Sequence, residues 1–491
     1  MPSYSSDEFL ADWRYAVEQD LTTSAGEPYP YADGGRLQWG DETRKITLKG
    51  QSHLGCVSYD GKRLALAVEH DIHVVDTQSW ETIVILKGHT SKIDSMAFRP
   101  RDAKTLISSD EPFYDGLGSA KDPTIILWNI EEEQATTHLD EDSLGNAARA
   151  AASAAAKKLA EDGISLDSTK VQDLGTVLEP AIGRVVSEHM IAGKVTLEGQ
   201  LVSAHQSQML SPSGKWLAYI PGKRPRSNRS DPWDIKILST DDLSEGLTLE
   251  GHTDAMMWLG WNIDESLFAS VSWDGSIRVW DFQTGYEKYH FNTEHQNWTG
   301  GFSSDSKYFA AIDGEANVRV YSMDDGELYW MYEGDTSGWR RTVSWHPNNS
   351  WLAVGGERGG ELLLLDVKAK TLLQRRVLSI EASTSSEEVR SMMKGFVGVG
   401  EVKFLDDGKR LAVWTYGDWS IEVYDIKQEV KWRFARGGTE DGPGADKWRN
   451  EQGKVTSGRG YDMLTWEDRA RGVLQLCSLD FDGVRIWEVP L

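Results

Sequence analysis

The chain has 491 residues, with 77 Asp and Glu against 52 Lys and Arg, and a formal net charge of −25. This charge disfavours general attraction to nucleic acid or to an anionic membrane, so no direct nucleic-acid partner is predicted. No run of about 18 apolar residues is present, so no membrane span is expected. The first residues lack the basic and apolar regions of a secretory signal, so the expected location is the cytoplasm or the nucleus.

Residues 1–36 are predicted to form an N-terminal extension with a short amphipathic helix. Ser5 to Glu8 has the pattern of a capping box, and Pro28 and Pro30 stop the helix. The apolar residues at helical spacing are Phe9, Leu10, Trp13, Val17 and Leu21. Such a helix packs back on its own domain or serves as a partner-binding peptide.

A strand signature recurs along the rest of the chain. Each copy is a short apolar strand that closes on an aromatic or aliphatic residue and is followed by a small polar or acidic one. The eight copies are 71–76, 124–129, 234–239, 276–281, 317–322, 361–366, 420–425 and 483–488. A turn followed by an apolar strand precedes most copies, at 60–65, 213–218, 264–269, 305–310, 349–353 and 407–412. Recurring short strands of this kind predict an all-β β-propeller with four-stranded blades. The count is eight blades, or seven if one weak repeat is a false match.

A third recurring element predicts how the ring closes. Leu-x-Gly followed by His or Gln ends an outer strand at 86–89, 197–200 and 249–252, and an early copy stands alone at 48–51. The last blade, around 474–487, has no outer strand of its own. We therefore expect the strand near Thr43 to Leu48 to complete the last blade, which removes exposed sheet edges. The propeller is assigned to residues 37–130 and 194–491.

Residues 131–193 interrupt blade two. The segment opens with acidic residues, continues as an Ala-rich stretch at 147–159, and has a second apolar period between Val177 and Met190. Ala is the strongest helix former, so a helical hairpin joined by a loop at 163–175 is predicted. It either folds onto its own blade or serves as a docking arm.

The predicted loop of blade three is basic in an acidic chain. It carries Lys223, Arg224, Arg226 and Arg229. These residues are either solvated loop charges or a site for an anionic peptide, a phosphopeptide or a phosphate, which arginine binds through its planar donor fork.

Blade four carries the motifs Leu249-Glu-Gly-His252, Ser272-Trp-Asp-Gly275 and Val279-Trp-Asp281. With these motifs the chain resembles the WD40-repeat family from about residue 43 onward. The resemblance implies a buried hydrogen-bonded tetrad of His252, Ser272, Asp274 and Trp280. Blade two keeps only Gly88, His89 and Trp128 of the pattern, so blade four alone is expected to have the full set.

The same resemblance implies that partners bind the face on which the loops between second and third strands open. Alignment of blades four to six puts Trp273, Trp298, Trp339 and Arg340 there. Exposed Trp and Arg side chains around one rim are typical of an interface hot spot. Some of these Trp residues are instead expected to pack between blades.

No sequence motif of a nucleotide site, a serine hydrolase or a zinc protease is present. His252, Asp274 and Ser272 could imitate a catalytic triad, but each stands where the structural tetrad needs it. We therefore predict a non-catalytic scaffold, monomeric within a larger complex, with protein or peptide partners and with no cofactor or metal. The alternatives are a propeller enzyme acting at the central channel, a ubiquitin-ligase-type substrate receptor and a phosphopeptide-binding module.

Overall fold

The computed structural model describes residues 18–38, 40–48, 50, 52–110, 113–114, 120–121, 123–131, 141–161, 167–174, 176, 194–202, 206–222, 225, 231–334, 339–356, 360–381, 397–416, 419–435, 463–480 and 483–491. Most of them lie in β-strands or in the turns between strands, as predicted. We call a blade each group of consecutive antiparallel strands that contains one copy of the predicted signature.

The first half of the chain has three leading strands and four blades. The leading strands are β1 (Glu18–Thr22), β2 (Tyr31–Gln38) and β3 (Arg44–Thr47). Blade one has β4 (Ser52–Val57), β5 (Arg63–Val68), β6 (Asp71–Asp76) and β7 (Thr82–Leu86). Blade two has β8 (Ile93–Phe98), β9 (Thr105–Asp110), a small ladder of β10 (Phe113–Tyr114) and β11 (Ala120–Lys121), then β12 (Thr124–Asn129), helix α1 (Glu141–Glu161) and β13 (Lys194–Gln200). Blade three has β14 (Trp216–Pro221), β15 (Ile235–Ser239) and β16 (Glu245–Leu249). Blade four has β17 (Met256–Trp261), β18 (Leu267–Ser272), β19 (Ser276–Asp281) and β20 (Glu287–Asn292).

The second half continues in the same way. Blade five has β21 (Asn297–Phe302), β22 (Tyr308–Asp313), β23 (Val318–Ser322) and β24 (Leu328–Tyr332). Blade six has β25 (Arg340–Trp345), β26 (Trp351–Gly356), β27 (Glu361–Asp366) and β28 (Thr371–Glu381). Blade seven has β29 (Gly398–Leu405), a 3-10 turn at Asp406–Gly408, β30 (Arg410–Tyr416), β31 (Ile421–Asp425) and β32 (Val430–Ala435). Blade eight has β33 (Met463–Asp468), β34 (Val473–Asp480) and β35 (Gly483–Pro490).

Blades two and three share one seven-stranded sheet through the β13–β14 pairing. In blade three the place of a first strand is taken by a segment around Leu210, which forms an isolated bridge to Leu217. The first strands of neighbouring blades contact one another elsewhere in the ring, so they are the innermost strands. Because two blades share a sheet, the count of eight remains our interpretation.

The recurring acidic residue after each signature strand has a local cause. Asp76, Asp281, Asp366 and Asp425 each accept a hydrogen bond from the backbone N–H three residues later, at 2.7–2.9 Å. An Asp side chain can fold the chain back in this way because it mimics a backbone turn. The signature therefore encodes both a strand and the turn that ends it.

The turns between first and second strands use a left-handed residue. Gly61, Gly214 and Gly408 have positive φ there, at 69°, 76° and 89°, and non-glycine residues hold the same conformation in other blades, for example Glu265 and Ser306. Glycine is the residue that adopts this conformation at no steric cost. This explains the Asp-Gly-Lys and Ser-Gly-Lys motifs in the sequence.

The predicted closure by an N-terminal strand is confirmed. β3 pairs antiparallel with β35, with Arg44 opposite Ile486 and Thr47 opposite Gly483. A buried apolar cluster that includes Leu64, Cys477 and Ile486 joins blades eight and one. Further clusters lie between the other neighbouring blades, so the ring is held together by apolar packing all round.

Two more N-terminal strands extend the ring outward, and they correct one expectation. β1 pairs antiparallel with the outer strand β28, and β2 pairs parallel with the outer strand β32. Leu21, assigned to the helical stripe, is fully buried in β1 opposite Leu378. The unpaired edge of β28 offers hydrogen-bonding groups that favour a strand there over a helix. Residues 1–17 lie outside the described residues, and the predicted propeller boundary at 37 falls inside β2.

The insertion is partly as predicted. Helix α1 contains the Ala-rich stretch, and residues 177–193, with the second predicted helix, lie outside the described residues. The predicted loop at 163–175 is wrong in part, because residues 168–174 are helical. Asp167 starts this helix, since its carboxylate accepts the backbone N–H of Lys170 at 2.9 Å as an N-cap.

Candidate interaction surface

The blades define two faces. Innermost strands begin at the upper face, where second strands also lead into third strands, and they end at the lower face. Trp273 follows β18, Trp298 is the second residue of β21, and Trp339 precedes β25, so all three lie at the upper face. They belong to blades four, five and six.

These three indoles contact one another in a row that we call the upper aromatic cluster. Trp273 and Trp298 are edge to face with ring centroids 5.2 Å apart, and Trp298 and Trp339 are tilted at the same separation. Trp298 is buried, whereas Trp273 and Trp339 are half-buried. The expectation of a ring of exposed Trp is therefore wrong for Trp298, which packs between blades.

Arg341 completes the cluster and was missed by the sequence argument. Its guanidinium carbon lies 3.9 Å from the ring centroid of Trp298 and 4.4 Å from that of Trp339. A guanidinium on aromatic faces is an electrostatically favourable arrangement. The register shifts between Arg340 and Thr342, so Arg341 is the extra residue of a β-bulge at the start of β25, which simple strand alternation does not predict.

Arg340 is not part of this surface. Only 1% of its side chain is exposed, and it forms an ion pair with Glu361 at 2.9 Å. It also donates a hydrogen bond to the carbonyl oxygen of Ala316. The assignment of Arg340 as a partner-binding residue is therefore wrong, because its guanidinium is buried and paired inside the protein.

The basic residues of the blade-three loop, Lys223, Arg224, Arg226 and Arg229, lie outside the described residues. The described ends of that loop are Gly222 and Asp231. Its anion-binding role stays a prediction.

In blade four, His252 is the centre of a buried polar cluster. Its Nδ1 is 2.8 Å from Asp274 Oδ2, and its Nε2 is 2.6 Å from the hydroxyl of Ser270. The rings of His252 and Trp280 meet edge to face at 6.0 Å. Ser276 donates to Asp274 at 2.6 Å and so adds a further hydroxyl to the cluster.

The serine assigned to the tetrad is therefore wrong. Ser272 donates instead to the carbonyl oxygen of Asp254 at 3.0 Å and accepts the N–H of Asp274 at 3.1 Å. Ser270 and Ser272 are two residues apart on one strand, so they share a face, and Ser270 lies deeper along it, under the imidazole. Ser272 holds the turn that carries Asp274.

The electrostatics of the pair favour a structural role. Burial raises the pKa of Asp274, but hydrogen bonds from His252 and Ser276 outweigh this and hold the pKa below its ordinary value. Burial lowers the pKa of His252, against the opposing effect of Asp274. Asp, His and Ser have the connectivity of a catalytic triad, yet Ser270 is fully buried and His252 is 2% exposed. A substrate has no access to this serine.

Blade two has its own cluster, so the expectation that blade four alone has a full set is wrong. His89 Nε2 lies 2.7 Å from Ser108 Oγ, which also accepts the indole N–H of Trp128 at 2.8 Å. Asp110 lies 3.5 Å from His89 Nδ1. Ser108 occupies the strand position that Ser270 has in blade four, and this shared register is the signal that sequence inspection missed.

The central channel tests the idea of a catalytic propeller. A cavity in it is lined by one carboxylate, that of Glu401. Over the described ranges, no group of three or more His, Cys, Asp or Glu side chains has the arrangement of a metal site.

No helix within the described ranges is long and apolar enough to cross a membrane.

The ring of blades, its strand-completed closure and its buried His–Ser clusters define the chain as a β-propeller. A family model described as "WD domain, G-beta repeat" (WD40) matches residues 244–281, which cover most of blade four. The chain is a WD40-repeat protein.

Several curated relatives share parts of the chain. A ribosome biogenesis protein WDR12 homolog from Drosophila virilis is 25% identical over 157 residues, which are 28% of this chain and 37% of the relative. The homolog from Anopheles gambiae is 25% identical over 175 residues, covering 34% and 40%. The homolog from Oryza sativa subsp. japonica is 26% identical over 152 residues, covering 30% and 34%. The chain thus spans well under half the length of these relatives.

A solved structure resembles the whole ring. The crystal structure of Saccharomyces cerevisiae Sqt1 matches with a TM-score of 0.57, covering 92% of this chain and 99% of that one. The identity is 11%, so the likeness concerns the fold alone.

Proposed function

We propose that this protein is a non-catalytic scaffold that holds a protein partner on its upper face within a multiprotein complex. The observation that carries the proposal is Arg341 between Trp298 and Trp339, at 3.9 and 4.4 Å. Trp and Arg are the residues most enriched in interface hot spots, because they combine apolar area with directional hydrogen bonding. Half-buried side chains that are already packed lose little conformational freedom when a partner covers them.

We further propose that the basic residues at 223–229 take part in partner binding. In a chain of net charge −25, anionic partners are repelled except where local cations dominate. An acidic or phosphorylated segment is therefore the kind of partner that would use this loop together with the upper aromatic cluster. A substrate-receptor role would use the same face.

The complex we propose is one that assembles ribosomes, and the location we propose is the cytoplasm or the nucleus. The support is that the partial relatives are named as ribosome biogenesis proteins. Cofractionation of the tagged protein with ribosomal precursor particles on a sucrose gradient tests this part. Sedimentation as a free protein under all growth conditions would overturn it.

The partner surface is tested by affinity purification with crosslinking mass spectrometry from the native organism. The variant Arg341→Ala with Trp339→Ala is expected to reduce partner recovery roughly tenfold, as loss of one hot spot costs about 1–2 kcal/mol. Reversal of Arg224, Arg226 and Arg229 to Glu tests the loop in the same way.

The matched control is Trp80→Ala. Trp80 is also a half-buried indole beneath an arginine, with Arg44 at 5.6 Å, but it lies at the lower face. It should leave recovery unchanged. Undiminished recovery with the upper-face variants would overturn the proposal. If deletion of 131–193 removes the partner instead, the insertion is the binding element.

A further inference from the structure

The lower half of the central channel contains a cavity of about 780 Å³. Four of its five aromatic residues end innermost strands, which places the cavity on the face opposite the upper aromatic cluster. These residues are Phe98, Trp261, Phe302 and Trp345. Cavities of about 300–1,000 Å³ with mostly apolar walls and a few polar groups are the usual form of small-ligand sites.

Gln206 crosses the channel and bounds this cavity. Its amide Nε2 donates to Glu401 Oε1 at 3.2 Å and to the carbonyl oxygen of Val402 at 3.1 Å. Its Oε1 accepts from the hydroxyl of Thr342 at 3.3 Å, and that hydroxyl accepts the N–H of Val402 at 3.0 Å. A residue of blade three is thereby tied to blades six and seven on the far side of the ring.

Two features indicate that the hydrogen bonds of Gln206 hold the Glu401 side chain in place. Gln206 has a φ of 67°, a conformation that costs a non-glycine residue about 1 kcal/mol or more and persists where the surroundings enforce it. Glu401, which it holds, is one of only two charged side chains in the lining, in a protein where 26% of residues are charged. The other is Lys403.

Glu401 and Lys403 are two residues apart on β29, so both point to the cavity, about 6.7 Å apart along the strand. Within the described part of the chain, their charged groups make no ion pair with each other, and the Lys403 ammonium has no hydrogen-bond partner. Burial raises the pKa of Glu401, and Lys403 and the bond from Gln206 oppose this rise. A partly desolvated carboxylate and a separate ammonium thus stand side by side on an otherwise uncharged wall.

We propose that this cavity binds a small zwitterion with an apolar side chain, that is, a ligand with the chemistry of an aromatic or aliphatic amino acid. The ligand ammonium pairs with Glu401, and the ligand carboxylate pairs with Lys403. This arrangement is favourable because Glu401 and Lys403 have opposite charges and do not pair with each other. The apolar side chain packs against Trp345 and Phe302. Gln206 is a positioning residue that fixes the Glu401 carboxylate.

The test uses the full chain and three probes in isothermal titration calorimetry. L-phenylalanine has both charges, 3-phenylpropanoate lacks the ammonium, and 2-phenylethylamine lacks the carboxylate. L-phenylalanine is expected to bind at least tenfold more tightly than either analogue. Equal binding of 3-phenylpropanoate would show a site for anions only, and absence of binding by L-phenylalanine would also overturn the proposal.

Variants locate the site. Glu401→Gln and Lys403→Met should each weaken L-phenylalanine binding at least tenfold while the melting temperature stays close to wild type. The matched controls are Glu327→Gln and Lys307→Met, which change exposed charges outside the lining. If the controls weaken binding as much as the cavity variants do, the ligand is bound elsewhere and the proposal falls. Partner recovery through the upper face should not change in any of the four.

Discussion

Arg340 and Glu361 form an ion pair at 2.9 Å in which the side chains are only 1% and 6% exposed. Arg340 opens β25 and also donates to the carbonyl oxygen of Ala316, which belongs to a turn of blade five. Glu361 opens β27 and accepts a second contact from Arg375 at 3.4 Å. The pair therefore fastens blade five to blade six, directly beside the half-buried Arg341.

Replacement of Glu361 by Ala is expected to destabilise the fold by about 3–5 kcal/mol, because it leaves the Arg340 guanidinium buried without its anion. The measurement is the denaturant midpoint or the melting temperature. Arg341→Ala is the matched control, since the next arginine is only half-buried, and it should melt close to wild type. If Glu361→Ala and Arg341→Ala melt alike, the ion pair does not hold the two blades together.

The hydroxyl of Ser270 is expected to matter for stability through His252. Ser270→Ala leaves the His252 Nε2 without its partner at 2.6 Å, and a buried polar atom without a partner costs about 1–3 kcal/mol. Ser108→Ala should cost at least as much in blade two, because Ser108 serves both His89 and Trp128. Thermal melts of the two variants test this. If Ser270→Ala melts at the same temperature as wild type, Ser270 does not contribute to the stability of the cluster.

Stability is expected to fall as the pH falls through the range of free histidine. Burial lowers the pKa of His252, so the native side chain stays neutral where an unfolded histidine, with a pKa of about 6.5, takes up a proton. The unfolded state then binds more protons than the native state, so the free energy of unfolding decreases, by at most about 1.4 kcal/mol per pH unit for this residue.

The comparison variant is His252→Gln, which is less stable but lacks this titration. Its unfolding free energy should depend on pH less steeply than that of wild type between about pH 7 and pH 5. Burial also lowers the pKa of His73 and His346, and both remain in the two proteins, so the difference in slope reports His252. Parallel pH profiles would contradict a buried neutral His252.

Features that depend on residues close together in the sequence could be predicted from the sequence alone. The strand at Ser276–Asp281 is mostly buried and apolar, and its final Asp makes the turn, so both the strand and the turn can be predicted from six residues. The closure by β3 was predictable because an orphan motif and an incomplete blade stand at opposite ends of the chain. Both signals are local patterns.

Features that depend on distant partners were not predictable. Arg340 is buried because Glu361 and Ala316 are in place to receive it, and no local pattern distinguishes it from Arg341. Ser270 and Ser272 share a face, so only the position of the imidazole decides between them. Likewise Leu21 is a strand residue because β28, some 355 residues further along, presents an open edge.

The N-terminal strands β1 and β2 hold a buried lysine in place. Lys431 is fully buried, and its ammonium pairs with Asp20 of β1 and, at 3.4 Å, with Glu422. The ring of Tyr31 in β2 lies 5.1 Å from it. Burial raises the pKa of Glu422, and Lys431 and Arg433 oppose this rise, so the carboxylate depends on its cations.

Deletion of residues 1–38 is therefore expected to lower the melting temperature and to promote aggregation, although β3 and the ring closure remain. It exposes the edges of β28 and β32, and it leaves Lys431 with one carboxylate where it had two. Deletion of residues 1–17, which keeps both strands, is the matched control. Deletion of 1–50 removes β3 as well and should cost still more, because it opens the ring. Differential scanning calorimetry with light scattering separates the three. If the chains that lack 1–17 and 1–38 melt and scatter alike, β1 and β2 contribute nothing to the stability of the propeller. If the chain that lacks 1–50 melts and scatters like the chain that lacks 1–38, closure of the ring by β3 is contradicted.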